Sequence, residues 1–237
     1  KAYQLEAALE DMPAAVGPQT MMLPVLNGMR HMELLARRFD PDNVIGCILK
    51  VTAAIDEQGG IVQLSALQEL AYGELDGGCS QRIRDLDAFM RGAGFDARIS
   101  PEIQREMWEK WTLLCALGGI TCLMRGTIGE VQAAPGGAAF ALALLDEIVS
   151  IVKAVGVSPS PEFLAAAREQ LTAAGSPLTS SMYRDLQRGG PIEAQQIVGD
   201  LLRRAEGTGI TTALLSAVHT HLSLYQNRLA ASAAAAY

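Results

Sequence analysis

Residues 100–124 read SPEIQREMWEKWTLLCALGGITCLM, and the fold turns on them. Ser100 is placed to cap a helix and Pro101 to occupy its first turn, where a missing N–H is no loss. After Lys110 the run Trp111–Met124 carries no charge for fourteen residues. A helix so apolar has to be buried on most of its sides. Beyond this stretch nearly everything reads helical, as segments 101–124, 138–156, 160–173, 177–188, 191–207 and 211–229. Gly156, Pro159, Gly175, Gly189-Gly190-Pro191, Gly207 and Gly209 punctuate them.

Ahead of Ser100 the pattern is mixed. Residues 3–12, 31–38 and 80–90 have helical spacing. Met21–Leu26 is an apolar run closed by Asn27-Gly28 and reads as a buried strand ending in a turn. Val44–Ala54 is β-branched and apolar, a second strand. Gly59-Gly60 turns the chain into Ile61–Leu64, and Leu67–Tyr72 reads as a further strand. Ser80 caps the 80–90 helix, with Ile83, Leu86, Phe89 and Met90 expected inward. The fold class that follows is α/β followed by all-α, with residues 1–99 mixed and residues 100–228 helical. Residues 229–237 are an Ala-rich tail, a frayed helix end or an appended stretch with no part in function.

The chain has 237 residues, 49% of them apolar and 19% charged, and a net charge of −7. That acidity excludes a broad grip on nucleic acid, which needs a basic face. The longest apolar run is shorter than the ~18 residues of a membrane span, so no membrane is expected. Cys47, Cys79, Cys115 and Cys122 form no CxxC. Cys115 and Cys122 share a helix face and read as small core residues. His219 and His221, two apart, point to different sides of a helix and cannot chelate together, and His31 has no ligand-spaced partner. No metal site is expected. With no stretch that reads as a secretory signal, a reduced, cytoplasmic setting is the expectation. Gly92-Ala93-Gly94-Phe95-Asp96-Ala97 fits GxGxxA, but a helix precedes it and a strand-like stretch follows. A phosphate loop needs the reverse order.

Four places can carry chemistry. The chain has nineteen basic residues, of which only Lys1, Lys50, Lys110 and Lys153 are lysines. Lys110 stands where its helix enters the interior, and desolvation there would prepare an ammonium to give up a proton, which Arg cannot do. The plainer alternative is a lysine snorkelling from the surface with Glu106 as its ion-pair partner. Glu193 opens a helix after Gly189-Gly190-Pro191, where the helix dipole alone would favour it. Ser180-Ser181 falls mid-helix in the 177–188 reading, where a hydroxyl either has work to do or bonds back to a carbonyl. Asn27 closes a strand at a tight turn, a place for ligands or for a plain Asn-Gly turn.

Taken in order, Lys1-Ala2-Tyr3-Gln4, Leu26-Asn27-Gly28-Met29, Trp108-Glu109-Lys110 and Ser180-Ser181-Met182-Tyr183-Arg184-Asp185 through Glu193 to Gly199 resemble the ketopantoate reductase family. The last block, SSMxxDxxxGxxxE, is the most specific, and the resemblance covers residues 1 to about 222. It implies a partial Rossmann-type doubly wound sheet in residues 1–99, the C-terminal portion of a dinucleotide-binding domain. It further implies an all-helical catalytic domain in 100–228, with the active site between the two. The implied reaction is NADP(H)-dependent reduction of the 2-oxo group of ketopantoate or a related 2-oxo acid, a step of pantothenate biosynthesis when ketopantoate is the substrate. By likeness, Lys1 and Gln4 line the cofactor site and Asn27 contacts its nicotinamide-ribose side. Lys110 is the general acid, Glu193 holds cofactor and reacting end, and Ser180 and Ser181 bind substrate, with Ser181 on its carboxylate.

Two departures qualify that likeness. The family's GxGxxG strand–turn–helix lies about seventy residues ahead of the first matched block and is absent here, so the natural protein is expected to be longer. The amides with which the family reads its substrate are replaced by Leu114, Gly118 and Leu178, and a fourth aligns near Ile128. Ala213 stands where a Pro is usual. Apolar side chains in place of amides suit a less polar carbonyl compound. A rival of another class is a non-catalytic helical interaction protein built from residues 100–228. A homodimer through the helical half is compatible with either.

Overall fold

The structure is a computed structural model that describes residues 1–56 and 58–234. The chain forms two compact units. A sheet unit comprises Gln4–Leu26 and Arg30–Met107, and a helical unit comprises Lys1–Tyr3, Asn27–Met29 and the chain from Trp108.

In the sheet unit, α1 (Leu5–Asp11) and α2 (Arg30–Arg38) precede β1 (Gly46–Ile55), β2 (Ile61–Gly73), α3 (Gln81–Met90) and β3 (Asp96–Ile99). The sheet is mixed, in the order β1-β2-β3. β1 and β2 are antiparallel from Gly46↔Gly73 to Ile55↔Ile61, with an irregularity between Val51 and Ala53. β2 and β3 are parallel from Glu69↔Asp96 to Tyr72↔Ile99. The segments expected as separate strands at 61–64 and 67–72 are therefore one strand, with the irregularity taken up inside it. Met21–Leu26 is not a strand. Only Met22 bridges Val44, in parallel. Pro24 explains this, because it has no N–H to extend a ladder.

Side chains from alternate strand positions meet α3 in a small core of Ile45, Cys47, Leu70, Tyr72, Ile83 and Leu86, with Met90 against it. Ser80 Oγ caps α3 by accepting the Ile83 N–H. Phe89, expected inward, is 79% exposed. Six residues after Ile83, it points well away from the face that Ile83, Leu86 and Met90 share.

The helical unit takes α4 (Ile103–Met124) from Trp108 onward, then α5 (Ile128–Ala133), α6 (Gly137–Val155), α7 (Pro161–Leu171), α8 (Ser181–Gln187), α9 (Asp200–Ala205) and α10 (Ala213–Ala234). Trp111, Cys115, Ile120 and Cys122 of α4 enter one core with Leu144, Leu145, Ile148 and Val152 of α6 and Leu215, Val218 and Leu222 of α10. Gly119 permits the approach. A Cβ there would lie 3.0 Å from Leu144 Cδ2 and 3.4 Å from Val218 Cγ2. Both α4 cysteines are buried, and burial pushes the Cys122 thiol up to about 12, so it behaves as an apolar group. The Ala-rich tail continues α10 as far as Ala234, and residues 235–237 lie outside the described residues. No helix among the described residues is long and apolar enough to cross a membrane.

Candidate active site

Lys110 lies half-buried on α4, between Trp108 and Trp111. The two indoles are packed with ring centroids 5.2 Å apart. Trp111 Nε1 donates to the Ile197 carbonyl at 2.9 Å, which ties this turn of α4 to the segment ahead of α9. The Arg204 guanidinium lies 5.7 Å from the Trp108 ring and 5.5 Å from the Trp111 ring. Asp200, fully buried, accepts from Arg204 Nε at 3.0 Å and from Arg203 at 2.5 Å. Glu106, the ordinary ion-pair partner considered for Lys110, pairs with Arg98, at 2.5 Å.

Gly189-Gly190-Pro191 leads to Glu193, but the helix expected over 191–207 begins later and irregularly. Gln195–Gly199 is a wide π-turn before α9. Such single turns are frequent at functional sites. Gly199 makes room for it, since a Cβ there would meet Gln195 Oε1 at 2.5 Å. Glu193 is 4% exposed. Its Oε1 accepts the Ala2 N–H at 3.0 Å and its Oε2 lies 3.7 Å from Lys1 Nζ. Lys1 Nζ also donates to Asp185 Oδ2 at 2.7 Å. Burial alone would lower the Lys1 pKa, but the Asp185 hydrogen bond and the charges of Glu193 and Asp185 outweigh it. The ammonium is held above the ordinary lysine value.

Ser180 and Ser181 open α8 rather than lying mid-helix. The turn of chain before them is irregular, so the helix expected from 177 starts only at 181. Ser180 is the cap: its Oγ accepts the Tyr183 N–H at 2.9 Å and lies 3.0 Å from Thr121 Oγ1. Thr121 Oγ1 already donates to the Leu117 carbonyl at 2.7 Å, so the proton between the two hydroxyls belongs to Ser180. Both hydroxyl protons are therefore committed inside the protein. The Ser181 side chain, half-buried at the first turn, makes no hydrogen bond among the described residues.

Asn27 is half-buried at a turn and Gly28 follows it with φ +84°. A Cβ at Gly28 would sit 2.8 Å from the Gln196 carbonyl and 3.9 Å from Trp111 Nε1, so only glycine lets this turn reach the π-turn and the indole. Lys1, Asn27, Lys110, Ser180, Ser181 and Glu193 thus fall in the helical unit, whereas Gln4 falls in the sheet unit. Asp185, Asp200 and Arg204 were not singled out from the sequence. Asp185 stood inside the quoted Ser-Ser-Met block, and the spacing of Asp200, Arg203 and Arg204 is that of neighbours on a helix face. Gly92–Ala97 leads from α3 into the first residues of β3, so no helix follows that GxGxxA stretch.

Two family models match the chain: "Ketopantoate reductase PanE/ApbA" over residues 1–77 and "Ketopantoate reductase PanE/ApbA C terminal" over residues 102–226. The chain belongs to the ketopantoate reductase family. It is 29% identical to an uncharacterized oxidoreductase, YkpB, of Bacillus subtilis, over 95% of this chain and 75% of that protein. To the 2-dehydropantoate 2-reductase of Vibrio cholerae it is 26% identical, over 94% of this chain and 74% of the other. A solved D-mandelate dehydrogenase in complex with NADH shares the fold, with a TM-score of 0.83 at 18% identity, covering 96% of this chain and 77% of that one. The chain is accordingly a reductase of the ketopantoate reductase kind.

Proposed function

We propose that this protein transfers hydride from NADPH to the 2-oxo group of ketopantoate or a related 2-oxo acid, with Lys110 as proton donor. The observation that carries the reading is that Lys110, the open Ser181 hydroxyl and the buried Glu193 carboxylate belong to one compact unit. The donor set fits the nicotinamide–ribose end of a dinucleotide. Glu193, fixed by the Ala2 N–H, and the Asn27 amide are the residues that would hold its hydroxyls and carboxamide. The glycine-rich strand–turn–helix that takes a pyrophosphate is not among the described residues. When bound, the cofactor supplies the hydride. As negative charge grows on the substrate carbonyl oxygen, the Lys110 ammonium meets it and passes a proton to it. Ser181 donates its hydroxyl proton to the substrate carboxylate and so orients the carbonyl toward Lys110.

A second reading keeps this chemistry and changes the substrate to a less polar 2-oxo acid. It rests on the face of α4 beyond Lys110. Leu114 follows one turn later, and at Gly118 the Met182 methyl fills the space, 2.7 Å from where a Cβ would be. That face offers no hydrogen-bonding side chain until Thr121, whose proton is committed.

The test is the oxidation of NADPH and of NADH, followed by absorbance, with ketopantoate and a panel of apolar 2-oxo acids. Lys110→Ala should lower kcat by about 10²–10⁴-fold, the range of general acid catalysis. Undiminished turnover in that variant would end the proposal. Ketopantoate as the best substrate would end the second reading alone. A full-length protein that binds neither cofactor would instead favour a non-catalytic helical protein.

A further inference from the structure

Three residues of the candidate site stand on stretches of backbone that meet at one indole. Lys110 directly precedes Trp111, so their Cα atoms lie about 3.8 Å apart. Trp111 is 1% exposed, and its Nε1–H donates to the Ile197 carbonyl at 2.9 Å. Ile197 donates its own N–H to the Glu193 carbonyl at 2.9 Å. Asn27 directly precedes Gly28, where a Cβ would lie 2.8 Å from the Gln196 carbonyl and 3.9 Å from Trp111 Nε1. The turns that bear Lys110, Glu193 and Asn27 therefore converge on a single hydrogen bond.

That bond has no substitute. An indole N–H only donates, and a buried one has no water to turn to, so losing the Ile197 carbonyl would cost its full desolvation. The ring is also wedged in place. Trp108 packs on it with centroids 5.2 Å apart, and the Arg204 guanidinium, bonded to Asp200, lies 5.5 Å from it. The π-turn has a second tether at its start, where Gln195 Oε1 lies 3.0 Å from His219 Nε2 of α10. Ser181 stands on a separate element, α8.

We propose that Trp111 is a positioning residue, whose N–H bond to Ile197 fixes the Lys110 turn relative to the Glu193 and Asn27 turns. The assignment rests on the reductase reading for what Lys110 does, and it adds what keeps the proton donor in register with the groups that would hold the cofactor. Buried, Trp111 acts through the residues it ties together and not on the substrate. A displacement of about 1 Å at a reacting centre can cost about 10²-fold in rate. Because Ser181, on α8, takes the substrate carboxylate in that reading, the loss falls on kcat and not on KM.

Trp111→Phe keeps an aromatic ring in the core and removes the donor. In the full-length protein kcat should fall about 10–100-fold, while KM for the 2-oxo acid stays within about threefold of the natural value. Ile148→Ala opens a cavity elsewhere in the same unit and controls for instability. It should lower the urea midpoint yet leave kcat within about threefold. A second readout needs no turnover. In isotope-labelled protein the Trp111 Nε1–H signal, assigned by NMR through its proximity to Gly28, should shift in Gly28→Ala and exchange with deuterium about tenfold faster, because the added Cβ pushes on the Gln196 carbonyl beside Ile197. Natural kcat in Trp111→Phe, a loss confined to KM, or an equal loss of kcat in Ile148→Ala would each overturn the proposal. If Trp111→Phe does not fold, Gly28→Ala decides, and an unmoved indole signal there overturns the proposal. Full turnover in Lys110→Ala is a different result: it ends the reductase reading and leaves the indole signal to judge the tether.

Discussion

Ile148 of α6 is fully buried, while Ile61 of β2 is 83% exposed. The two residues are chemically alike, and their surroundings differ. In the helical unit, α4, α6 and α10 surround each apolar side chain on several sides, and polar ends are tied off locally. Glu147 accepts the N–H groups of Leu214 and Leu215 at the start of α10, and Glu109 accepts from Ser160 at the start of α7. In the sheet unit, β3 pairs only Glu69–Tyr72 of β2, so the far part of the β1–β2 ribbon has no third strand. Val51, Ile55, Ile61, Val62, Leu64 and Leu67 are exposed there. What holds that unit, apart from its small core, is a set of ion pairs. Glu69 bridges Lys50 and Arg98, and Arg82 grips Glu74. Apolar residues therefore stabilise one unit far more than the other.

The sharpest test is a matched pair of truncations. Ile148→Ala should destabilise the helical unit by about 2–5 kcal/mol, through lost transfer energy and the cavity left behind. Ile61→Ala should change stability by about 0.5 kcal/mol or less. Both tryptophans of the chain, Trp108 and Trp111, lie in the helical unit, so their fluorescence in a urea titration reports that unit, while hydrogen exchange at the amides of β2 reports the sheet unit. Equal losses in the two variants would break the contrast.

A smaller effect is expected where a charge, not an apolar group, is buried in the helical unit. The Asp200 side chain is 1% exposed between Arg203, 52% exposed, and Arg204, 16% exposed. Asp200→Ala removes the buried carboxylate that accepts from both guanidiniums and should cost about 3 kcal/mol. Arg203→Ala removes only the exposed partner and should cost about 1 kcal/mol or less. Because Arg204 lies over both rings, Asp200→Ala should also shift the emission of the folded protein. A folded Asp200→Ala protein of natural stability and emission would show that this carboxylate does not hold the cation over the rings.

The sequence made some of this visible. The cap at Ser80 and the glycine stop at Gly156 located α3 and the end of α6, because capping is decided within four residues. The same logic was available for α5. Thr127-Ile128-Gly129-Glu130 has the spacing of a capping box, and both of its hydrogen bonds are present. The π-turn at 195–199 was not legible, since its wider hydrogen bonds leave no distinct apolar period. Nor was the capture of Lys1 by Asp185 and Glu193, residues far apart along the chain. Pro24 was the overlooked sign that Met21–Leu26 would not pair as a strand. The mid-helix placement of the Ser-Ser pair differs from the structure for a similar reason. Apolar spacing suggested where a helix ran, but only the hydrogen bonds of Ser180 fixed where it began.

The smallest effect expected concerns the ion pairs of the sheet unit. Burial alone would raise the Glu106 pKa, but hydrogen bonds from Arg98 and Ser100 and the charges of Arg98 and Lys50 bring it below the ordinary value. Glu69 is lowered in the same way, burial being outweighed by Arg98 and Lys50. A carboxylate with a depressed folded-state pKa contributes its stability in full above the unfolded value, near 4.3 for Glu, and loses it as pH falls through the folded one. Acid should therefore loosen the amides of β2, read by hydrogen exchange, before it alters tryptophan emission. In Arg98→Leu both carboxylates lose their main partner, and the loss of protection below about pH 4.3 should become shallower. Above that range the variant should be less stable by roughly 1 kcal/mol at most, because Arg98 is 44% exposed and water screens the pair. A variant that kept the natural chain's full acid sensitivity would show that these pairs ornament the sheet unit rather than hold it.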